Sequence, residues 1–356
     1  MQFIPFKKTV LTISLMCVAG ATHAQSSVTI YGVADLGVRR ASGLDAANAA
    51  SAGDTHSLGS GINTTSRLGF RGVEDLGGGL KAVFNLESGW NLDSGTSNSK
   101  FFDRASWVGL QGGWGTVGLG RQTTVLADAL SGTDPLGNRL AGFNPNIQVA
   151  ALSAHRLGIE YGPSGSTSGS YRLDNAVKYT GKFDAWTVRA MHGLGEQSNS
   201  SSALSSSGVS LAYEGGGYTA TLAYGDFSSA KNLDLKAYLA GLSGKVGQGK
   251  MFLTYGKNEA QTSATATTEN ATLGLGAQFP ISSQLNLVAA YYKVDRSRTG
   301  NADDGFNRVV AFAEYGLSKR SLVYFEADRT QWKNNFQGAS NKPSATGLSV
   351  GVKHTF

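Results

Sequence analysis

The sequence predicts an all-β fold, a 16-stranded antiparallel transmembrane β-barrel. Segments of about ten residues alternate apolar and polar side chains, the period-2 pattern of strands with two different faces. Turn clusters rich in Gly, Ser, Asn and Asp separate these segments, and Gly alone accounts for 48 of the 356 residues. Beyond residue 24 no apolar run is long enough for a transmembrane helix. In lipid, only helices and closed barrels satisfy every backbone polar group.

Residues 1–24 have the layout of a secretory signal peptide. Lys7 and Lys8 provide the positive start, an apolar run follows, and small residues surround a cleavage point after Ala24. The apolar run is too short to cross a bilayer as a helix. We therefore expect residues 25–356 to form one exported barrel domain.

Composition excludes several other classes of protein. The only cysteine, Cys17, belongs to the signal segment, so the exported chain must be stabilised without disulfides. The formal charge of +6 is mild and no basic run is present, so we expect no nucleic-acid partner. The histidines lack ligand spacing, so we expect neither a metal site nor a cofactor.

Sixteen alternating segments follow the signal. Their approximate centres are residues 33, 69, 85, 106, 119, 178, 190, 211, 222, 238, 254, 274, 290, 311, 326 and 351. Short turns alternate with longer connections, of which 41–62 is expected to be the first, as in outer-membrane barrels. The connection between residues 123 and 174 is far longer than the others. A structureless loop of that length points to a function. In a barrel, the lumen offers a place for such a loop.

The stretch 66–72, SRLGFRG, is apolar on one face and basic on the other. A half-buried strand of a soluble protein would show the same alternation, but sixteen repeats behind a signal peptide favour lipid outside and water inside. A hairpin symmetric about Gly77 pairs Arg67 with Glu87, and both strands then agree on the apolar face. The same alternation gives five lumen-facing residues along the pore wall: Asp35, Arg39, Arg71, Lys178 and Lys353.

Charged rings in a water-filled pore select ions by sign, and low-dielectric walls focus their field. A few arginines at a narrow point therefore matter more than the net charge of the chain. The opposite interpretation also stands: Arg67 and Glu87 neutralise each other and have little effect on selectivity.

The terminal GLSVGVKHTF, which ends in Phe356, resembles the signature read by outer-membrane barrel assembly machinery. Five further stretches carry a family resemblance: SVTIYGVADLGV, SRLGFRGVEDLGGGLKAVFNLESGW, RASWVGLQGGWGTVGLGRQ, RLDNAVKYTGKF and YGLSKRSLVYFEA. Together they resemble the trimeric general porins of Gram-negative outer membranes, in the β-proteobacterial branch. The resemblance implies three barrels per trimer, each with its long third loop folded into the lumen. It also implies outer-membrane lipid and lipopolysaccharide as surroundings.

The same resemblance implies a pore constriction. Its expected members are Arg67, Arg104, Glu87 and Arg156, with Asp128 or Asp134 as the acid on the inward loop. Family members often carry Pro-Phe-Gly near the loop tip, whereas this chain has Asp134-Pro135-Leu136-Gly137. The geometry of the tip is therefore expected to differ.

We predict an outer-membrane general diffusion channel for small hydrophilic solutes and ions, with weak to moderate anion preference and no enzymatic activity. The nucleophile-elbow pattern at 347–351 and the glycine-rich pattern at 113–118 lack the helix that each motif requires. A secreted or surface β-rich adhesin without a pore is the main alternative, and a barrel enzyme is another. Aromatic residues near strand ends, such as Trp90 and Tyr315, favour a membrane girdle.

Overall fold

The computed structural model describes residues 26–97, 100–137, 145 and 171–356. The signal segment 1–24 and Arg156 lie outside these residues. The described strands are Ser27–Leu44 (β1), Ala50–Ser60 (β2), Arg67–Gly77 (β3), Leu80–Asn91 (β4), Thr96–Ser97 (β5), Ala105–Gly112 (β6), Gly115–Thr123 (β7), Arg172–Phe183 (β8), Trp186–Gly193 (β9), Ser206–Gly215 (β10), Tyr218–Ser228 (β11), Asp234–Val246 (β12), Gly249–Gln261 (β13), Thr267–Pro280 (β14), Leu285–Arg298 (β15), Asp304–Gly316 (β16), Ser321–Lys333 (β17) and Ser344–Thr355 (β18). One helix, Val125–Leu130 (α1), follows β7. None of the helical residues described forms a helix with the length and apolar character needed to cross a membrane.

These strands occupy sixteen positions around a closed barrel. β2 and β3 lie end to end at one position, because β2 pairs with the second half of β1 and β3 with the first half. β5 has two residues and pairs only with the end of β4. β18 pairs with β1 from Val33↔Thr355 to Ser42↔Thr346, which closes the antiparallel sheet. The predicted fold is confirmed.

The barrel carries apolar residues outside and polar residues inside. Outward-facing apolar side chains that remain exposed include Val38, Leu119, Val209, Leu222, Leu253 and Val350. Inward-facing polar side chains that are buried include Arg39, Ser210, Thr254, Asn258, Asn270 and Glu326. A soluble protein buries its apolar face, so this reversed arrangement is the one that lipid outside and a polar lumen require.

Short turns close one end of the barrel and longer connections the other. The turn end also holds Phe356, whose backbone bonds to Gly32 at 3.1 Å in both directions. The prediction of a long loop over 41–62 is wrong, because residues 50–60 form β2 and only 45–49 connect it to β1. β2 has few apolar residues and its sequence reads ASAGDTHSLGS, so it lacks the alternation that reveals strands crossing lipid.

The register predicted for the first hairpin is also wrong by two positions. Arg67 pairs with Gly89, and Glu87 pairs with Gly69. The symmetric turn about Gly77 is replaced by a Gly78–Gly79 turn plus a register shift between Asp75 and Gly77. Because the observed pairing differs from the predicted one by an even number of residues, every side chain keeps its predicted face.

Candidate functional site: the narrow part of the lumen

A segment spanning residues 124–137 leaves β7 and runs along the inner wall. Its helix α1 is capped at its N-terminus by Thr124, whose hydroxyl accepts a hydrogen bond from the Ala127 N–H at 3.2 Å. The buried face of α1 packs in an apolar cluster with inward side chains of the wall: Met191, Ala223, Phe227, Leu235, Ala237 and Leu239. This burial holds the segment against the wall of β9 to β12.

The tip of this inward segment is bonded to β14 and β15, farther along the same wall. The Asp134 carboxylate accepts the Tyr292 hydroxyl at 2.8 and 3.0 Å, and the N–H groups of Leu136 and Gly137 at 2.9 Å each. The Pro135 carbonyl accepts the Gln278 side-chain amide at 2.9 Å. Asp134 is only 3% exposed, so it fixes the turn and the wall contact and does not face open water.

A second inward segment, residues 61–66, separates β2 from β3. It covers Asp35, which has no exposed surface. The Asp35 carboxylate accepts the N–H groups of Asn63 and Thr64 at 2.8 and 2.5 Å and the Tyr324 hydroxyl at 2.7 Å. Lys353 donates to the Asn63 side-chain carbonyl at 2.8 Å. Asp35 therefore supports this segment from beneath it.

Arginines converge on one carboxylate on the wall formed by β3, β4 and β6. Arg104 Nε lies 2.6 Å from Glu87 Oε1, and Arg67 Nε lies 3.7 Å from Glu87 Oε2. Arg172 Nε donates to the Arg104 carbonyl at 2.7 Å, and its guanidinium lies 4.0 Å over the Tyr171 ring. We call Arg67, Arg104 and Arg172 the arginine cluster. It places three positive charges around Glu87, and the Asp103 carboxylate also acts on Arg104.

A lumenal cavity of about 440 Å³ lies against this cluster. Its charged lining residues are Glu87, Arg104, Arg172 and Lys178, joined by polar groups that include Asn85 and Gln122. Cations outnumber anions in this lining. A hydrated anion therefore meets a favourable potential along this wall.

Asp128 differs from Asp134 in what it faces. Its carboxylate lies 2.9 Å from Lys178 Nζ and 3.7 Å from Arg189 Nε, and it accepts the Thr123 hydroxyl at 2.7 Å. The Asp128 side chain keeps 18% of its surface exposed. It is thus the acid of the inward segment that meets the basic part of the wall.

The remaining sequence-predicted residues divide into buried and exposed positions. Arg39 is 5% exposed and forms ion pairs with Glu326 at 2.9 Å and Asp328 at 2.6 Å. Arg71 is exposed nearer the turn end, with its guanidinium 5.2 Å from the Tyr31 ring centre. Arg39 therefore belongs to a buried ionic network in the wall, and Arg71 to the accessible lumen surface.

Two contributors to the site were not assigned to it from the sequence. Tyr31 donates to Glu87 at 2.9 Å and to Asn85 at 2.8 Å. Tyr31 and Asp35 are an even number of residues apart on β1, so alternation alone places Tyr31 on the lumen face with Asp35. Alternation does not place Arg172 in this way, because the pairing register between β7 and β8 shifts near Gln122 and interrupts the pattern. Within the described ranges, no three His, Cys, Asp or Glu side chains are grouped as metal ligands would be.

Comparison with known proteins gives a consistent result. A family profile described as Gram-negative porin matches residues 11–335. An outer membrane porin protein of Bordetella pertussis is 29% identical, with 98% of this chain and all of the relative aligned. Outer membrane porin protein 32 of Delftia acidovorans is 27% identical over the same shares of the two chains.

Solved structures agree with these sequence matches. The anion-selective porin from Comamonas acidovorans has a TM-score of 0.79 and 25% identity, covering 93% of this chain and 100% of that one. The trimer form of the Vibrio cholerae outer membrane protein OmpT has a TM-score of 0.68 at 16% identity, covering 93% and 99% of the two chains. The second similarity concerns the fold alone.

Proposed function

This chain belongs to the Gram-negative porin family, and on that premise we propose that its arginine cluster gives an outer-membrane channel a weak to moderate preference for anions. The protein is a general diffusion channel for small hydrophilic solutes and ions, built as a β-barrel in the outer membrane. Selectivity of such a pore depends on the charges at its narrow part. The question is therefore which charges dominate there.

The observation that carries the proposal is the excess of guanidinium groups over carboxylates around Glu87. Arg104 forms the closer ion pair with Glu87, at 2.6 Å, whereas Arg67 stands 3.7 Å away. Arg172 hydrogen-bonds a carbonyl and stacks on Tyr171, so neither contact neutralises its charge. Glu87 and the neighbouring Asp103 carry two negative charges, fewer than the three positive charges of the arginine cluster. The interpretation in which Arg67 and Glu87 simply cancel is therefore the weaker one.

The inward segment supplies the opposing charge. We propose Asp128 as the acid of the inward segment that meets the basic wall directly, through Lys178 and Arg189, and Asp134 as the residue that positions the tip. Arg156 stays a candidate for a further arginine at the constriction. Acids on one side and bases on the other create a transverse field that orients polar solutes.

The other parts of the proposal concern the whole chain. We propose cleavage after Ala24, assembly as a homotrimer, and contact with outer-membrane lipid and lipopolysaccharide. The trimeric state typical of the porins that this chain resembles supports the assembly. We propose no catalytic activity, since the chain's relatives are porins.

The test is the reversal potential in a planar bilayer under a salt gradient. Native protein is compared with the double variant Arg67→Ala, Arg104→Ala. We expect the native channel to prefer anions and the variant to lose that preference, because Glu87 then faces only Arg172. We expect a loss of roughly fivefold or more in the anion-to-cation ratio, which corresponds to about 1 kcal/mol or more in total for the two charges removed.

A matched control removes the same number of positive charges at a site outside the lumen. Lys319→Ala with Arg320→Ala changes two exposed cations on the turn that joins β16 to β17. This control should keep the native reversal potential. Unchanged selectivity in the Arg67, Arg104 variant would refute the cluster as the selectivity element while leaving the channel itself intact.

A further inference from the structure

Trp107 faces the lumen from β6. It pairs with Asn85, whose side chain faces the lumen and accepts the Tyr31 hydroxyl. The next residue along the strand, Val108, is 57% exposed on the outer wall. The lumen side of such a barrel is mainly polar, so a half-buried indole there departs from the pattern. Selection of ions by the charge of the arginine cluster does not account for it.

Glycines on β7 make room for this indole. Trp107 pairs with Gly120, and Gly118 lies two residues from Gly120 on the same face of the strand. A Cβ on Gly118 would lie only 3.1 Å from Cε3 of the indole. The ring therefore lies over a bare stretch of backbone, and it lines the cavity of about 440 Å³ beside the arginine cluster.

Arg104 and Arg172 line the same cavity, and both keep hydrogen-bonding capacity. Arg104 donates through Nε to Glu87, and Arg172 donates through Nε to the Arg104 carbonyl. A guanidinium has five N–H donors in a planar fork. Neither arginine donates from its terminal nitrogens to another of the residues that the structure describes. These nitrogens are thus available to a carboxylate, which the fork matches in geometry.

The charges on this lining favour a ligand with one negative charge. Glu87 lies 2.6 Å from Arg104. Lys178 lies 2.9 Å from Asp128 of the inward segment. Arg172 is the third cation of the lining, and in the described part of the chain its hydrogen bond goes to a neutral carbonyl. One positive charge is thus left without a paired carboxylate, so a monoanion suits this wall.

The cavity places a flat aromatic surface near this fork. Arg104 precedes Trp107 by three residues, which is roughly 10 Å of extended chain. Both residues line one cavity, and its volume lies in the range of small-molecule sites. Aromatic rings attract one another in offset-stacked and edge-to-face arrangements, beyond the effect of buried area. A small ligand that uses both features has a carboxylate and an aromatic ring.

We propose that this cavity is a binding subsite for aromatic monocarboxylates that pass through the pore. The carboxylate contacts the terminal nitrogens of Arg104 and Arg172, and the ring packs against Trp107. The inference rests on the proposed function, since it gives a substrate class to the same narrow part of the lumen. A bound aromatic acid occupies the path of smaller anions and reduces their current.

Block of chloride current in a planar bilayer tests the subsite, with benzoate and cyclohexanecarboxylate as probes at neutral pH. Both are monocarboxylates on a six-membered ring, but only benzoate is aromatic. We expect benzoate to half-block the native channel at a concentration roughly threefold or more below that of cyclohexanecarboxylate, because only benzoate stacks on the indole. Burial of apolar area alone would favour the two probes about equally.

Variants of Trp107 locate the effect. Trp107→Leu should bring the two half-blocking concentrations together, whereas Trp107→Phe should keep most of the difference because it retains an aromatic ring. The ratio of the two concentrations within one variant cancels a change in pore dimensions. The control Trp186→Leu alters a tryptophan that is 47% exposed on the outer wall, and it should keep the native ratio.

Arg172→Gln tests the carboxylate contact. It should raise both half-blocking concentrations and leave their ratio unchanged, because the two probes share the carboxylate. Unchanged block by both probes in this variant would overturn the proposal.

Two other results would also overturn it: equal half-blocking concentrations in the native channel, or the native ratio in Trp107→Leu. Neither result bears on the anion preference, because the reversal potential is measured in chloride alone before either carboxylate is added. Failure of this subsite is therefore distinguishable from failure of the proposed function.

Discussion

At the scale of single residues, Glu87 organises the narrow part of the lumen. It accepts contacts from Tyr31, Arg67 and Arg104, all within 3.7 Å. The acid holds Arg104 in place and at the same time offsets part of its charge. Both effects follow from one carboxylate in a partly buried site, where electrostatic interactions are stronger than in bulk water.

Neutralising this acid should therefore strengthen the anion preference. In Glu87→Gln the arginine cluster loses the carboxylate that both Arg67 and Arg104 contact, and one unit charge at about 4 Å is worth about 1 kcal/mol in water. We expect a rise of roughly fivefold in the anion-to-cation permeability ratio. Reversal potentials under a salt gradient measure it. Glu74→Gln, on the outer wall near the first turn, serves as the control and should change nothing.

A lower anion preference in Glu87→Gln would contradict this account. It would mean that Glu87 acts mainly by positioning Arg104, and that the cluster loses its geometry without it. The amide retains a carbonyl that accepts hydrogen bonds, so the geometry is expected to survive.

At the scale of elements, the inward segment is fitted to the wall at both ends. α1 packs on β9 to β12, and the tip meets β14 and β15 through Pro135 and Asp134. The fit at the tip requires a wall residue without a side chain. A Cβ on Gly276 would overlap the Pro135 ring and lie 2.6 Å from the Ala289 carbonyl oxygen, so both the tip and the neighbouring strand favour glycine at this position.

Adding a methyl group there should loosen the tip. In Gly276→Ala the new carbon pushes Pro135 off the wall and strains the Gln278 and Tyr292 hydrogen bonds, each worth about 1 kcal/mol. We expect larger open-channel current fluctuations and a changed single-channel conductance, with the barrel still folded. Planar-bilayer recordings measure both quantities.

The control for this change is Gly316→Ala, near the turn end of β16. Its added methyl group would meet only the Gln284 carbonyl, at an ordinary contact distance of 3.6 Å. If both variants record like the native channel, the tip is not held by the close approach of Pro135 to Gly276.

At the scale of the whole molecule, stability depends on a reversed distribution of polarity. The exposed outer surface is apolar, Leu222 for example being 62% exposed, while charged residues such as Glu326 have no exposed surface. Lipid covers the apolar side chains that a soluble protein would bury in its core. The sixteen paired strand positions close the sheet, so no free strand edge remains.

A charge on the outer wall should be costly only in the hydrocarbon region. Leu222→Arg, on the outward face of β11, should lower the free energy of unfolding by about 2–4 kcal/mol in lipid vesicles. Gln331→Arg faces outward near the loop end of β17 and should cost about 0–1 kcal/mol. Urea unfolding in vesicles, followed by tryptophan fluorescence, compares the two. Equal costs would contradict the outward orientation of Leu222.

Local alternation determined much of this protein without any tertiary information. It assigned sixteen strand positions, the lumen face of Arg67 and Glu87, and the outward face of Leu68 and Phe70. Alternation is a property of neighbouring residues on one strand, so it survives an error in pairing. The inward folding of the long loop followed from its length and from the family resemblance.

Tertiary structure alone decided how these strands and side chains meet. The register shift near Leu76 moved Arg67 opposite Gly89, and pairing with the second half of β1 makes β2 a strand. It also gave the two acids of the inward segment different roles, because Asp128 faces cations and Asp134 fixes the tip. Alternation repeats every two residues along one strand, whereas register and ion pairing depend on contacts between residues far apart in the sequence.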